Sequence, residues 1–320
     1  MSTSIEFFYF LLSLLVLVAS ASAMVIFIAR IARFLRMSDF VVSFIIIGFS
    51  TSIPELFVGI TSAIAGNPSL SLGNVIGANI SDLTLVVGIP ILLAGGVKIS
   101  TKTARHDVNY MMIIASLPLL LMSMGGGLSR IDGAILVGVF VFYLYRMIGR
   151  HKDQEIQGGK DLSHGIVLTF LLFGLSMLLV LVSSHYVVKQ ATVLSVGLEL
   201  PLIIMGLVLL GVGTSLPELT FSIRTVRQKH PEMALGNSIG SIVVNSTLVL
   251  GIVALIHPIE EAVSLYFTSW VFLLLVAFIF LAFLNSGDKM TWQEGLALIM
   301  LYVFFLMIEL YVKGVVVGAA

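Results

Sequence analysis

GFSTSIPELFVGITSAIAGNPSLSLGNVIGANISDLTLVVGI, residues 48–89, aligns without a gap with GVGTSLPELTFSIRTVRQKHPEMALGNSIGSIVVNSTLVLGI, residues 211–252. Thr51, Ser52, Pro54 and Glu55 fall on Thr214, Ser215, Pro217 and Glu218, and Pro68, Gly73, Asn74 and Gly77 on Pro231, Gly236, Asn237 and Gly240. Apolar helices resemble one another by composition alone. Here the shared residues are the ones rare in lipid, in register, so the match reads as an internal duplication.

The surroundings of the two copies are apolar. The 320 residues are 58% hydrophobic and 11% charged, with a mean hydropathy of +1.12, far from a soluble globular domain. Runs of about 20 apolar residues, enough for a helix to cross about 30 Å of hydrocarbon, recur along the whole chain. They predict ten spans near residues 6–28, 39–65, 70–96, 108–124, 130–148, 165–187, 200–224, 233–256, 263–284 and 292–312. The short alternating segments of a β-barrel are not seen. Absence of cysteine excludes disulfides and thiolate metal sites, and a net charge of zero gives no sign of nucleic-acid binding.

RHKDQEIQGGKDLSHG, residues 150–165, is the one long polar segment and separates five spans from five. The organisation expected is a first repeat at 1–149, a linker at 150–164 and a second repeat at 165–320. If the spans alternate, 14 of the 17 Lys and Arg residues collect on one side and three, Arg130, Lys189 and Lys313, on the other. Lys and Arg resist translocation, so the protein is expected in the cell membrane, amino terminus outside and linker cytoplasmic. ASASA, residues 19–23, resembles a signal-peptidase site, but no basic segment precedes it and Arg30, Arg33 and Arg36 follow. An uncleaved first span is expected.

Each copy of the duplication sits on the second and third spans of its half. An odd number of spans per half makes the second copy enter the membrane from the opposite side. The fold class expected is therefore all-α: a polytopic membrane protein of ten helices in two inverted five-helix repeats, with a site near the midplane where the repeats meet.

The duplicated residues are oxygen donors. Proline has no amide hydrogen, so Pro54 should free the Ser50 carbonyl and Pro217 that of Gly213. Thr51 and Ser52 lie four and three residues before Glu55, on the same helical face, and Thr214, Ser215 and Glu218 repeat the pattern. Asp82 lies near the middle of the third span, with Asn245 at the matching place on the eighth. Such all-oxygen sets suit hard cations such as Ca²⁺ and Na⁺ rather than zinc or copper. Asn74, Asn79 and Asn237 are further polar candidates. An ionised group at mid-membrane costs at least about 2.5 kcal/mol, and no Lys or Arg lies at the depth of Glu55, Asp82 and Glu218. The three carboxylates must bind cations or protons. Glu309 is expected near the membrane surface, paired with Lys313 four residues on.

GTSLPE at 213–218, STSIPE at 50–55 and the paired GNVIGA and GNSIGS resemble the alpha repeats of the cation/calcium exchanger superfamily, most of all its prokaryotic sodium/calcium exchangers. The resemblance implies a secondary antiporter, not an enzyme. It would export Ca²⁺ against Na⁺ by alternating access, with the first and sixth spans sliding across the other eight. It implies Ca²⁺ ligands at Glu55, Glu218 and the carbonyls of Thr51 and Thr214. It implies Na⁺ ligands at Ser52, Ser215, Ser241, Asp82, Asn245 and the carbonyls of Gly48 and Gly211. No cofactor is expected beyond the transported ions, and a monomer should suffice. Three departures, Ala78 for the usual serine, Ser50 for glycine and an acid on the third span rather than the eighth, leave open H⁺ coupling or exchange of a different divalent cation. The retained Thr-Ser pairs argue the other way.

Overall fold

The structure is a computed structural model that describes residues 3–34, 51–98, 101–150, 165–260, 264–286 and 289–318. Ten helices are found among these residues. The first five are α1 (Thr3–Phe34), α2 (Ile53–Ile64), α3 (Pro68–Leu93), α4 (Thr101–Gly125) and α5 (Arg130–Arg150). The second five are α6 (Ile166–Gly197), α7 (Leu202–Arg227), α8 (Pro231–Ile256), α9 (Ser264–Ser286) and α10 (Trp292–Gly318). The linker and the first half of the second span lie outside the described residues.

Burial orders these helices by position. In α3 and α8 the most apolar stretch is 83% and 72% buried, against 28% in α1 and 22% in α6. The repeated helices therefore form the centre, and the first helix of each repeat lies outside them. α1 and α6 pack mainly on each other, and α6 also touches α2, where the Thr61 and Ser184 hydroxyls meet at 3.0 Å. Since five alternating helices separate their starts, α1 and α6 run antiparallel.

Glycine permits the tightest packing. α3 and α7 meet backbone to backbone: a Cβ on Gly73 would fall 2.6 Å from the Ile203 carbonyl oxygen, and one on Gly206 at 2.5 Å from that of Leu70. A Cβ on Gly77 would overlap the Leu207 carbonyl. Small residues at such crossings allow the close approach that van der Waals association of membrane helices requires.

Two short backbone contacts join the repeats at their rims. Strand β1 (Gly96–Lys98), between α3 and α4, pairs antiparallel with β2 (Lys289–Thr291), between α9 and α10. Leu128, between α4 and α5, bridges Ile259, between α8 and α9, through two amide–carbonyl bonds of 2.9 Å. Exchanging the repeats converts one contact into the other, as inverted symmetry requires.

Two expectations need correction. The sixth span was expected to end at 187, yet α6 continues through Lys189 to Gly197. At about 1.5 Å per residue its 32 residues reach about 48 Å, longer than the hydrocarbon is thick. A lysine near a helix end can snorkel without breaking the helix; the chain stops instead at Glu199, with a φ of 54°, and Pro201. Glu309 is not at the surface. It is 1% exposed and accepts hydrogen bonds from Ser269 Oγ at 2.7 Å and Thr268 Oγ1 at 3.3 Å, tying α10 to α9.

Candidate functional site

The duplicated motifs meet at the centre of the molecule. Pro54 and Pro217 each lie in the first turn of a helical segment, and Ser50, whose carbonyl Pro54 is expected to free, lies outside the described residues. In α7 the first segment closes at Thr214, Ser215 takes φ −81° and ψ 3°, and the helix restarts at Leu216. Ser52 has nearly the same geometry, φ −85° and ψ 8°, before Ile53. The amides of Leu56 and Leu219 then bond the carbonyls of Ser52 and Ser215, both at 3.0 Å. Proline suits this place because its missing amide is one that a first turn leaves without a partner anyway. The Thr214 carbonyl is thereby left among the last of its segment, where no further turn covers it.

Both glutamates occupy first turns. The partial positive charge of a helix amino terminus favours a carboxylate there. That offsets part of the cost of burial, which is complete: Glu55, Asp82 and Glu218 are each 0% exposed. No basic side chain compensates them among the described residues.

Hydroxyls and amides cross between the repeats to line the site. Thr51 Oγ1 donates to Asn237 Oδ1 at 3.3 Å, and Thr214 Oγ1 to Asn74 Oδ1 at 3.1 Å. Each threonine is thus held by the asparagine of the opposite repeat. Ser215 Oγ donates to the Gly211 carbonyl at 2.9 Å. Ser52 Oγ donates to Ser241 Oγ at 3.2 Å, and Ser241 Oγ to Glu218 Oε1 at 3.4 Å. Asn245 Nδ2 reaches Ser241 Oγ at 3.4 Å and Asn79 Oδ1 at 3.3 Å, and Asn79 Nδ2 donates to Ser246 Oγ at 2.9 Å. Asn245 opens a π-helical turn, Asn245–Val249, which α3 lacks at the matching Asp82. Leu14 of α1 lies against Gly213 and covers the α7 break from the lipid side.

The oxygens without partners carry the chemistry. Both carboxylate oxygens of Glu55, both of Asp82, Oε2 of Glu218 and Oδ1 of Asn245 are buried with no hydrogen bond among the described residues. Thr214 lies near Glu55, and Ser215 and Ser241 near Asp82, without closing on the carboxylates. Buried acceptors are nearly always satisfied in proteins. A group of orphaned carboxylate oxygens in hydrocarbon is an arrangement for taking up positive charge. No three acidic or imidazole groups among the described residues converge closely enough to chelate a metal by themselves. A cation here would need the hydroxyl, amide and carbonyl oxygens as well, a set suited to Ca²⁺ or Na⁺.

The structure brings together Glu55, Glu218, Thr51, Thr214, Ser52, Ser215, Asp82, Asn245, Ser241 and Gly211. Gly48 and Ser50 lie outside the described residues. The crossed partnership of Asn74 and Asn237 with the threonines was not foreseen. Neither was Ser246. Equal spacing in the two repeats marks Thr51 and Asn237 as members of matched sets, but not as each other's partners.

The chain matches the Sodium/calcium exchanger protein family over residues 5–149 and 168–311. It is 27% identical to the sodium/calcium exchanger MaX1 of Methanosarcina acetivorans, over 97% of this chain and 99% of that one. It is 28% identical to the putative antiporter CaxA of Alkalimonas amylolytica, over 92% of this chain and 95% of that protein. Its fold superimposes on the sodium-calcium exchanger NCX_Mj soaked with Na⁺ and Sr²⁺ with a TM-score of 0.65 and 25% identity, covering 95% of this chain and 98% of that one.

Proposed function

We propose, for a chain that belongs to the sodium/calcium exchanger protein family and exchanges Ca²⁺ for another cation across a membrane, that Na⁺ is the coupling ion. One observation carries the proposal: the orphaned oxygens of Glu55, Asp82 and Glu218 face Thr-Ser hydroxyls from both repeats, with no basic side chain near. Ca²⁺ is held by Glu55 and Glu218 with the Thr51 and Thr214 carbonyls. Na⁺ is held by Ser52, Ser215, Ser241, Asp82, Asn245 and the Gly48 and Gly211 carbonyls. The two sets share one negative field, so the ions exclude each other through charge and occupy the site in turn. Asn74 and Asn237 position the threonines; they do not ligate.

Residues 1–149 and 165–320 act as inverted repeats joined by a cytoplasmic linker at 150–164, with the amino terminus outside. The antiparallel α1–α6 pair slides on the other eight helices and exposes the site to each side in turn.

Reconstituted vesicles loaded with Na⁺ test the coupling. Uptake of radiolabelled Ca²⁺ should follow the Na⁺ gradient and ignore a pH jump at constant Na⁺; uptake indifferent to Na⁺ overturns the proposal. H⁺ coupling is the second reading, and Ala78 favours it. Ala78 is fully buried beside Gly211 and offers a methyl group instead of an oxygen.

A further inference from the structure

The α1–α6 pair carries a groove of about 510 Å³ that ion exchange does not use. Its walls are apolar, with Leu12 and Val16 of α1 facing Leu179 and Val182 of α6. One end is polar, bounded by Glu6 and Tyr9 on α1 and by Tyr186, Lys189 and Gln190 on α6. From Glu6 to Val16 is ten residues, about 15 Å at about 1.5 Å each, or half of an about 30 Å hydrocarbon core. The groove is one leaflet deep, with its polar groups at headgroup level and two exposed tyrosines beside them.

The charges at that end are complementary to a particular occupant. Glu6 and Lys189 both line the groove, yet neither forms an ion pair or hydrogen bond among the described residues. Gln190 Oε1 is buried there without a donor. Two unlike charges that do not pair with each other, with an unused acceptor beside them at the end of apolar walls, match a molecule carrying a phosphate, a protonated primary amine and an acyl chain.

We propose that this groove binds a phosphatidylethanolamine. Lys189 holds the phosphate, and the headgroup ammonium donates N–H bonds to the Glu6 carboxylate and Gln190 Oε1. The acyl chain lies along Leu12, Val16, Leu179 and Val182. A phosphatidylcholine has no N–H to donate, and a phosphatidylglycerol has no positive charge for Glu6.

Competition among phosphatidylethanolamine, phosphatidylcholine and phosphatidylglycerol of identical acyl chains, offered to the purified full chain and counted by native mass spectrometry, tests the site. Phosphatidylethanolamine should be retained about tenfold over phosphatidylcholine, the worth of one charge-assisted hydrogen bond. Glu6→Ala should reduce that preference, leaving only what Gln190 Oε1 supplies. Lys189→Ala should weaken all three lipids while Lys189→Arg keeps wild-type retention. Equal retention of the ethanolamine and choline lipids by wild type, or preference for phosphatidylglycerol, overturns the proposal whatever the variants do. So does unchanged selectivity in Glu6→Ala. Lipid counting needs no ion flux, so its failure leaves the coupling assignment untouched.

Discussion

Replacing Glu218 with glutamine separates charge from shape at the site. The side chain is fully buried, Oε1 accepts from Ser241 at 3.4 Å, and Oε2 has no partner. Glutamine keeps the size and an acceptor for Ser241, so the variant removes charge and little else. A unit charge 4 Å from a divalent cation contributes about 8 kcal/mol at an effective dielectric of about 20. Burial of the carboxylate opposes this by several kcal/mol. The net loss is about 3 kcal/mol or more, which weakens Ca²⁺ binding by at least about 100-fold. Calorimetric Ca²⁺ titration of the purified variant reads that change directly, and uptake into vesicles should vanish with it. The same argument makes an opposite prediction for stability. Without ions, at a pH alkaline enough to strip the proton that otherwise neutralises it, Glu218→Gln relieves a buried uncompensated charge, so its Tm there should rise above wild type. Wild-type Ca²⁺ affinity in Glu218→Gln would refute the placement of Ca²⁺ at this carboxylate. A lowered ion-free Tm would refute the claim that the charge is destabilising when unpaired.

Gly77→Ala should lower Tm, because its Cβ would overlap the Leu207 carbonyl oxygen and lie 2.8 Å from the Leu207 Cα. Overpacking of this kind costs about 1–3 kcal/mol, and an unchanged Tm would mean that α3 and α7 are not in backbone contact. Ala78→Ser adds the missing hydroxyl and should sharpen the Na⁺ dependence of uptake; no change in the Na⁺ titration would count against a coupling ion at that position. Asp82→Asn should abolish Na⁺-driven uptake, and adding Asn245→Asp should recover part of it, since Asn245 occupies the matching place in the other repeat. A double variant as inactive as the single one would show that the two positions are not interchangeable.

The duplication alone made most of this architecture legible. Rare polar residues in register mark both the helices that carry the site and the inversion of the repeats, and among the described residues every helix but α6 falls where the apolar runs predict. What escaped depends on contacts between helices. Lys189 signals a membrane boundary by its charge, but a long side chain on a long helix sets no end, so α6 runs on. Glu309 lies four residues before Lys313 and suggests a local pair; Ser269 on α9, 40 positions away in sequence, binds it instead. Asn79 stands out as a polar residue, but with Ile242 at its matching place nothing in the repeat points to its partners, Asn245 and Ser246. The break at Ser215 precedes the proline by two residues. A proline signals that the helix must restart but not where the previous segment stops.

The two rim contacts bear on which parts of the molecule have freedom to move. β1 with β2 stitches the α3–α4 connection to the α9–α10 connection, and Leu128 with Ile259 stitches α4–α5 to α8–α9. Both stitches run between the repeats, at opposite faces of the membrane, so the repeats cannot part like a hinge without tearing main-chain bonds at one face. Neither stitch involves a connection that begins or ends at α1 or α6. The inverted duplication has fastened its two halves into a frame at top and bottom, and it has left outside that frame the pair of helices that carries Leu14 over the broken helix of the site.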